Sequence, residues 1–261
     1  MATTGGASES RTLEGKVAIV TGAGRVGGIG AAYARGLGAA GAFVVVADID
    51  PEGSGRVATM LNEEGLTVVS TRVDITDEAS TRAMVETAKE HFGGVDILVN
   101  NAALMSELSR STLMDVDMAE WQRVMDVNLT GALLCCRAAV PSMIERGGGK
   151  IINQSSGGAF VPSSPYAIAK LGIVALTSAL AKQLGPSNIN VNAIAPGLVE
   201  SEAGLSLVPK DSPGRARFTT AVRTAGAPAD LVGALLLLAS PAGDWITGQT
   251  LNIDGGWIQR V

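Results

Sequence analysis

The chain has 261 residues, 46% hydrophobic and 17% charged, which is enough apolar mass for a large core in one α/β unit. Aromatic residues make up only 3%, so alanine, valine, leucine and isoleucine must fill that core. A net charge of −5 with no basic stripe argues against a nucleic-acid partner, and no uninterrupted apolar run reaches the roughly 18 residues of a membrane span.

The first twelve residues, "MATTGGASESRT", carry neither a charged n-region nor an apolar h-region. They read as a flexible tail and not as a signal peptide, which makes the cytoplasm the expected location. Short β-branched runs then alternate with helical patterns. Strands are expected at 16–21, 43–48, 67–74, 96–100, 150–155, 189–194 and 250–254, and helices over stretches such as 77–92, 118–145 and 165–184. Strands that are apolar on both faces and separated by helices imply a doubly wound, seven-stranded parallel sheet covered on both sides. No linker or repeat divides residues 13–261, so a single Rossmann-type domain is expected. Such a sheet binds ligands beyond the carboxyl ends of its strands.

The segment after the first strand, "TGAGRVGGIG", holds five glycines in ten residues. Two phosphate-binding spacings fit it: Gly22, Gly24 and Gly27, or Gly24, Gly28 and Gly30. Either one gives a tight turn, a close backbone approach and a pyrophosphate on the next helix's amides. Asp48 ends the second strand, where a carboxylate can accept from an adenosine ribose. Further on, Tyr166 and Lys170 are four apart and share a helix face. A nearby ammonium, with the positive charge of an oxidised nicotinamide, should lower the phenol from its usual value near 10 toward the working range of a general acid/base. Adjacent Cys135 and Cys136 would point about 100° apart on a helix, which suits two buried hydrophobes and neither a disulfide nor a metal site. His91, the only histidine, ends a helical run where a cation suits the dipole, and no metal site is expected.

These segments, in this order, resemble the short-chain dehydrogenase/reductase family from about residue 13 to 257. Thr21-Gly22 match the front of that family's TGxxxGxG pattern and Gly28-Ile29-Gly30 match its back, with two extra residues near Arg25-Val26. The resemblance implies an NAD(P)(H)-dependent oxidoreductase that interconverts a secondary alcohol and a ketone. It assigns Asp74, with Ile75, to the adenine side. Asn101, Ala102 and Ala103 stand where the family has NNAG, with alanine for its glycine. Asn128 corresponds to the catalytic asparagine, Ser156 or else Ser155 to the serine, and Tyr166 and Lys170 to the acid/base pair. Pro196, Gly197, Val199 and Ser201 would lie along the nicotinamide, and residues 201–226 would form a substrate lid, with Leu205, Leu207, Val208 and Phe218 as an apolar wall. Ten positions separate Ser156 from Tyr166, fewer than the family's common spacing. Homotetramers through the long helices and the C-terminal strand are also implied, with a dimer as the alternative.

Asp48, followed by Ile49 where NADP-preferring relatives often carry a basic residue, favours NAD over NADP, with Arg25 over the pyrophosphate or adenine rim. Two alternatives remain at this point. One is an NADPH-dependent 3-oxoacyl-carrier-protein reductase; the other is a non-catalytic, cofactor-binding regulatory protein.

Overall fold

A computed structural model of the chain describes residues 12–105, 112–207, 220–222 and 225–259. Seven parallel strands form one sheet: β1 (Val17–Thr21), β2 (Phe43–Asp48), β3 (Val68–Arg72), β4 (Ile97–Asn100), β5 (Gly149–Gln154), β6 (Ile189–Pro196) and β7 (Thr250–Ile253). Their order is β3-β2-β1-β4-β5-β6-β7, so strand order reverses between β1 and β4. This is the doubly wound α/β Rossmann architecture that the sequence implies.

Among the described residues, eight α-helices connect and cover the strands: α1 (Ile29–Ala39), α2 (Pro51–Glu63), α3 (Glu78–Phe92), α4 (Met118–Met125), α5 (Gly131–Glu145), α6 (Pro165–Leu184), α7 (Glu202–Leu207) and α8 (Val232–Ala239). Alternation along the strands feeds two cores. In β1, Ala18 and Val20 join Tyr33 and Leu37 of α1 and Leu235 of α8 on one face. Val17 and Ile19 join Met84 of α3 and Cys135, Cys136 and Met143 of α5 on the other. Both cysteines are buried.

Helix starts follow simple side-chain chemistry. Asp50, Asp77 and Asp117 each accept from a backbone N–H in the first turn of α2, α3 and α4, and Ser164 does so for α6. Helix α1 differs: Gly28 precedes it and supplies no side-chain cap. Its first amides are therefore left for another acceptor.

The helix expected over 118–145 spans those residues, with one irregular turn inside it. The pattern over 118–145 divides into α4 and α5, joined by a π-helical turn at Asp126–Thr130. Such turns shift backbone hydrogen bonds by one residue, and a hydrophobic period does not register the slip. By length and composition alone, Met118–Glu145 and Pro165–Ser187 are long and apolar enough to cross a membrane, although each seats a buried face in the fold.

Candidate active site

The strands are parallel, so their carboxyl ends share one edge of the sheet, and a cleft of about 790 Å³ runs along it. Of the described site residues expected from sequence, all except Gly24, Gly27, Asn128 and Leu205 line this cleft.

The glycine turn forms its floor. Gly22 has φ +66°, and a Cβ there would lie 2.5 Å from Ala102 Cα. A Cβ on Gly24 would lie 2.8 Å from Asp48 Cγ, and one on Gly30 would lie 2.5 Å from the Gly22 carbonyl oxygen. At Gly28 the nearest atom is the Arg25 carbonyl oxygen at 3.0 Å, whereas Gly27 meets nothing within 4 Å. Close approach therefore excludes a Cβ at Gly22, Gly24 and Gly30, leaves Gly28 tightly packed and leaves Gly27 free of it. The two extra residues stay in the turn, which closes by an N–H of Gly28 donating to the Arg25 carbonyl at 2.9 Å.

Neighbouring strands fix this turn. Asn101 donates its Nδ2 to the carbonyls of Thr21 and Gly22, each at 2.9 Å, and the amides of Asn101 and Ala102 donate to Thr21 Oγ1. Asp48 accepts from the Gly24 amide at 2.7 Å and the Asp50 amide at 3.1 Å. Ile49 stands beside it, exposed on the cleft wall. Asp74 accepts from the backbone and the hydroxyl of Thr76, and these bonds hold its carboxyl below the usual carboxylate range.

The polar cluster lies at the end of β5. Ser156 precedes a short 3-10 turn, Gly157–Phe160, and its Oγ accepts from the Gly158 amide at 3.1 Å. Ser156 and Tyr166 both line the cleft, and the Ser156 hydroxyl favours the phenolate of Tyr166, so the short Ser-to-Tyr loop still brings the two to one site. Ser155 is buried and donates to the Lys170 carbonyl at 2.8 Å, which leaves Ser156 as the serine facing the phenol. Pro165 opens α6, and one turn later Lys170 lies buried beneath Tyr166, its Nζ 5.6 Å from the ring centre and donating to the Gln154 carbonyl at 2.8 Å. Burial lowers this ammonium to about 8.

Burial raises the Tyr166 phenol to about 12, and the Ser156 hydroxyl opposes the rise. The lowering expected from the sequence includes the positive charge of an oxidised nicotinamide, which the protein alone does not carry. Within the protein itself, desolvation outweighs any lowering by Lys170, because a buried phenolate loses more hydration than a distant ammonium restores.

Asn128 sits behind the cleft in the π-helical turn. Its Nδ2 donates to the carbonyls of Leu104 at 3.0 Å and Val124 at 3.1 Å, while its buried Oδ1 has no partner among the described residues. Pro196 and Gly197 leave β6 beside Asp254, and Val199 pairs with Gly226 as an isolated bridge. Ser201 Oγ accepts from the Gly204 amide at 3.1 Å and so caps α7. Of the expected apolar wall, Val208 and Phe218 lie outside the described residues, together with the side chain of Leu207.

Sequence reasoning missed Trp257, Gln154, Leu104, Met105 and Val161 as lining residues. Trp257 lies against Gly157, where a Cβ would come 2.7 Å from its ring. The sequence holds a partial signal for it in the chain's closing "GGW".

A family profile described as enoyl-(acyl carrier protein) reductase matches residues 22–258. A solved short-chain type dehydrogenase/reductase from Mycobacterium marinum is 33% identical, covers 95% of this chain and 97% of its own, and superposes with a TM-score of 0.88. The chain belongs to the short-chain dehydrogenase/reductase family. Relatives in that family include an uncharacterized oxidoreductase of Mycobacterium tuberculosis, 44% identical over 95% of this chain and 99% of the relative. A 3-alpha-(or 20-beta)-hydroxysteroid dehydrogenase of the same organism is 40% identical, covering 95% and 92%.

Membership in the short-chain dehydrogenase/reductase family implies oxidoreductase chemistry and an NAD(P) cofactor. The residues present fit a dinucleotide. Side chains are excluded from the turn floor at Gly22 and Gly30, α1 opens with no side-chain cap, and a fixed carboxylate stands at the end of β2.

Proposed function

We propose that the protein interconverts a secondary alcohol and a ketone, using NAD(H). The observation that carries this reading is that Tyr166 and Ser156 share the cleft wall, with buried Lys170 beneath the Tyr166 ring. A nicotinamide dinucleotide bound along this cleft would supply or accept the hydride and, in its oxidised form, place a positive charge beside the phenol. In reduction, Tyr166 Oη gives its proton to the carbonyl oxygen, and Ser156 Oγ–H steadies the charge developing there. The raised phenol is neutral at pH 7, which is the form that can donate. In oxidation the same oxygen takes the alcohol's proton. Lys170 holds the ribose edge and the field around the phenol, and Asn128 Oδ1 offers an acceptor for a relay water leading away from Lys170.

Preference for NAD(H) rests on Asp48. Its carboxylate would accept from ribose hydroxyls and repel a 2′-phosphate, and the Gly24 and Asp50 amides fix its position. The same feature counts against an NADPH-dependent 3-oxoacyl-carrier-protein reductase. Leu104, Met105, Val161, Leu198 and Trp257 line the cleft. They support an uncharged, partly apolar substrate, in keeping with the hydroxysteroid dehydrogenase relative.

Assembly as a homotetramer is part of this reading, since α6 leaves Leu171 and Ala175 exposed on an apolar helix. Light scattering at the subunit mass of 26.5 kDa would refute it. Two buried thiols suit a reducing cytoplasm. The test of function is NADH and NADPH oxidation against a panel of apolar ketones. Turnover with NADH and an uncharged ketone supports the reading, and turnover confined to NADPH with acyl thioesters overturns it.

A further inference from the structure

Arg25 and Glu202 approach each other from opposite sides of the cleft. Arg25 belongs to the lengthened turn after β1, and Glu202 opens α7 after β6, with β4 and β5 between those strands. Arg25 Nη1 lies 3.7 Å from Glu202 Oε1, and both residues line the cleft. Their side chains are 54% and 71% exposed, so the pair sits at the mouth and not in the floor.

A different carboxylate lies nearer to the Arg25 backbone. Gly24, directly before Arg25, donates its amide to Asp48 Oδ2 at 2.7 Å. The guanidinium nevertheless turns toward Glu202. Asp48 accepts one amide on each oxygen, from Gly24 and from Asp50, and these bonds fix its carboxylate in place. Both ends of the bridge are anchored. The amide of Gly28 closes the turn on the Arg25 carbonyl, and Ser201 caps α7 through Gly204 and Leu205.

We propose that Glu202 is a positioning residue for cofactor choice: it holds Arg25 across the mouth of the cleft and withholds the guanidinium from the adenosine 2′ position beside Asp48. The proposal rests on the NAD(H) reading above. A free guanidinium near Asp48 would offset the carboxylate's repulsion and grip a 2′-phosphate with two charge-assisted bonds. The enlarged turn therefore carries a latent preference for NADP, and a carboxylate on the far side of the cleft holds it in check. Glu202 acts through Arg25 alone, with no contact of its own to the ribose.

The test measures dissociation constants of NADH and NADPH by nicotinamide fluorescence, at fixed ionic strength, in wild type, Glu202→Gln, Glu202→Asp, Arg25→Gln and the double variant Arg25→Gln/Glu202→Gln. The ratio of the NADPH constant to the NADH constant should fall about two- to fivefold in Glu202→Gln, the range open to an exposed ion pair. Glu202→Asp keeps the charge and should stay close to the wild-type ratio. In the Arg25→Gln background, removing the Glu202 charge should leave the ratio unmoved. An unchanged ratio in Glu202→Gln overturns the proposal. So does an equal shift with and without Arg25, which would mark simple through-space repulsion. A wild type that binds NADPH more tightly overturns the NAD(H) reading instead, a result separate from the dependence on Arg25.

Discussion

Gly30→Ala tests whether the floor of the cleft is shaped by backbone alone. A Cβ there would stand 2.5 Å from the Gly22 carbonyl oxygen, 2.7 Å from Ala23 Cα and 2.8 Å from Asn101 Nδ2. None of these atoms can rotate away, because two are backbone and Asn101 is held by two hydrogen bonds. Ordinary contact begins at 3.4 Å, so α1 and the turn must part by about 0.9 Å in a tightly packed region. Overpacking of this kind costs about 1–3 kcal/mol, and the gain from placing alanine in a helix offsets roughly 1 kcal/mol of it. The net loss of stability is then about 0–2 kcal/mol, a small fall in Tm. Binding should suffer more. Moving the first amides of α1 away from a phosphate forfeits at least one charge-assisted bond, about 1.5–3 kcal/mol. That raises Kd for NADH roughly 10- to 150-fold, at about 1.4 kcal/mol per decade. Fluorescence titration with NADH reads this directly. Gly27→Ala is the paired control, because a Cβ there meets nothing within 4 Å. If Gly27→Ala weakens NADH binding as much as Gly30→Ala does, the assignment of the phosphate floor is wrong.

Lys170 gives a prediction in pH. Its folded-state value near 8 lies below its usual 10.5, so between those values the native chain has released a proton that the unfolded chain still holds. Stability contributed at this site therefore rises with pH across that window, by up to about 3 kcal/mol. Denaturant melts of wild type and Lys170→Met should diverge from pH 8 to 10.5 in favour of wild type, and a flat difference would contradict the burial argument. Asn128→Ala should lower kcat about a hundredfold and leave NADH affinity near wild type, since Asn128 lies behind the cleft; an equal loss in Kd would count against a relay role. Cys135 and Cys136 are both buried, and burial raises both thiols, Cys136 to about 12. Neither should react with an aromatic disulfide reagent until the protein unfolds, and prompt labelling of the native chain would refute that packing.

Much of this arrangement is readable from residue order. Each of the seven strands lies at the expected run, because β-branched segments buried on both faces have few alternatives in an alternating pattern. The ends of those strands then place Asp48, Asn101 and Ser156 on one edge. Spacing could not choose between the two glycine readings, since the reason for Gly22 is Ala102, some eighty residues away in sequence. The π-helical turn between α4 and α5 was equally hidden. No proline or glycine lies within Asp126–Thr130, and the turn is fixed by contacts such as Asn128 to the Leu104 carbonyl. Sequence shows the ammonium four residues on from Tyr166, but it does not show that Lys170 is fully buried beneath a half-buried ring. The role of Glu202 was invisible as well, because its partner Arg25 lies on a different crossover.

The central claim is that Tyr166 carries the reacting proton in a site otherwise built for binding. Tyr166→Phe removes one oxygen from a ring seated over Lys170, keeping the ring and its 5.6 Å separation from Nζ. Steady-state turnover of an accepted ketone should be measured on this variant beside its NADH dissociation constant. The account predicts a loss of kcat of about 10²–10⁴-fold, the usual contribution of a positioned acid/base, with NADH bound within a fewfold of wild type. Near-normal turnover by pure Tyr166→Phe protein would contradict it.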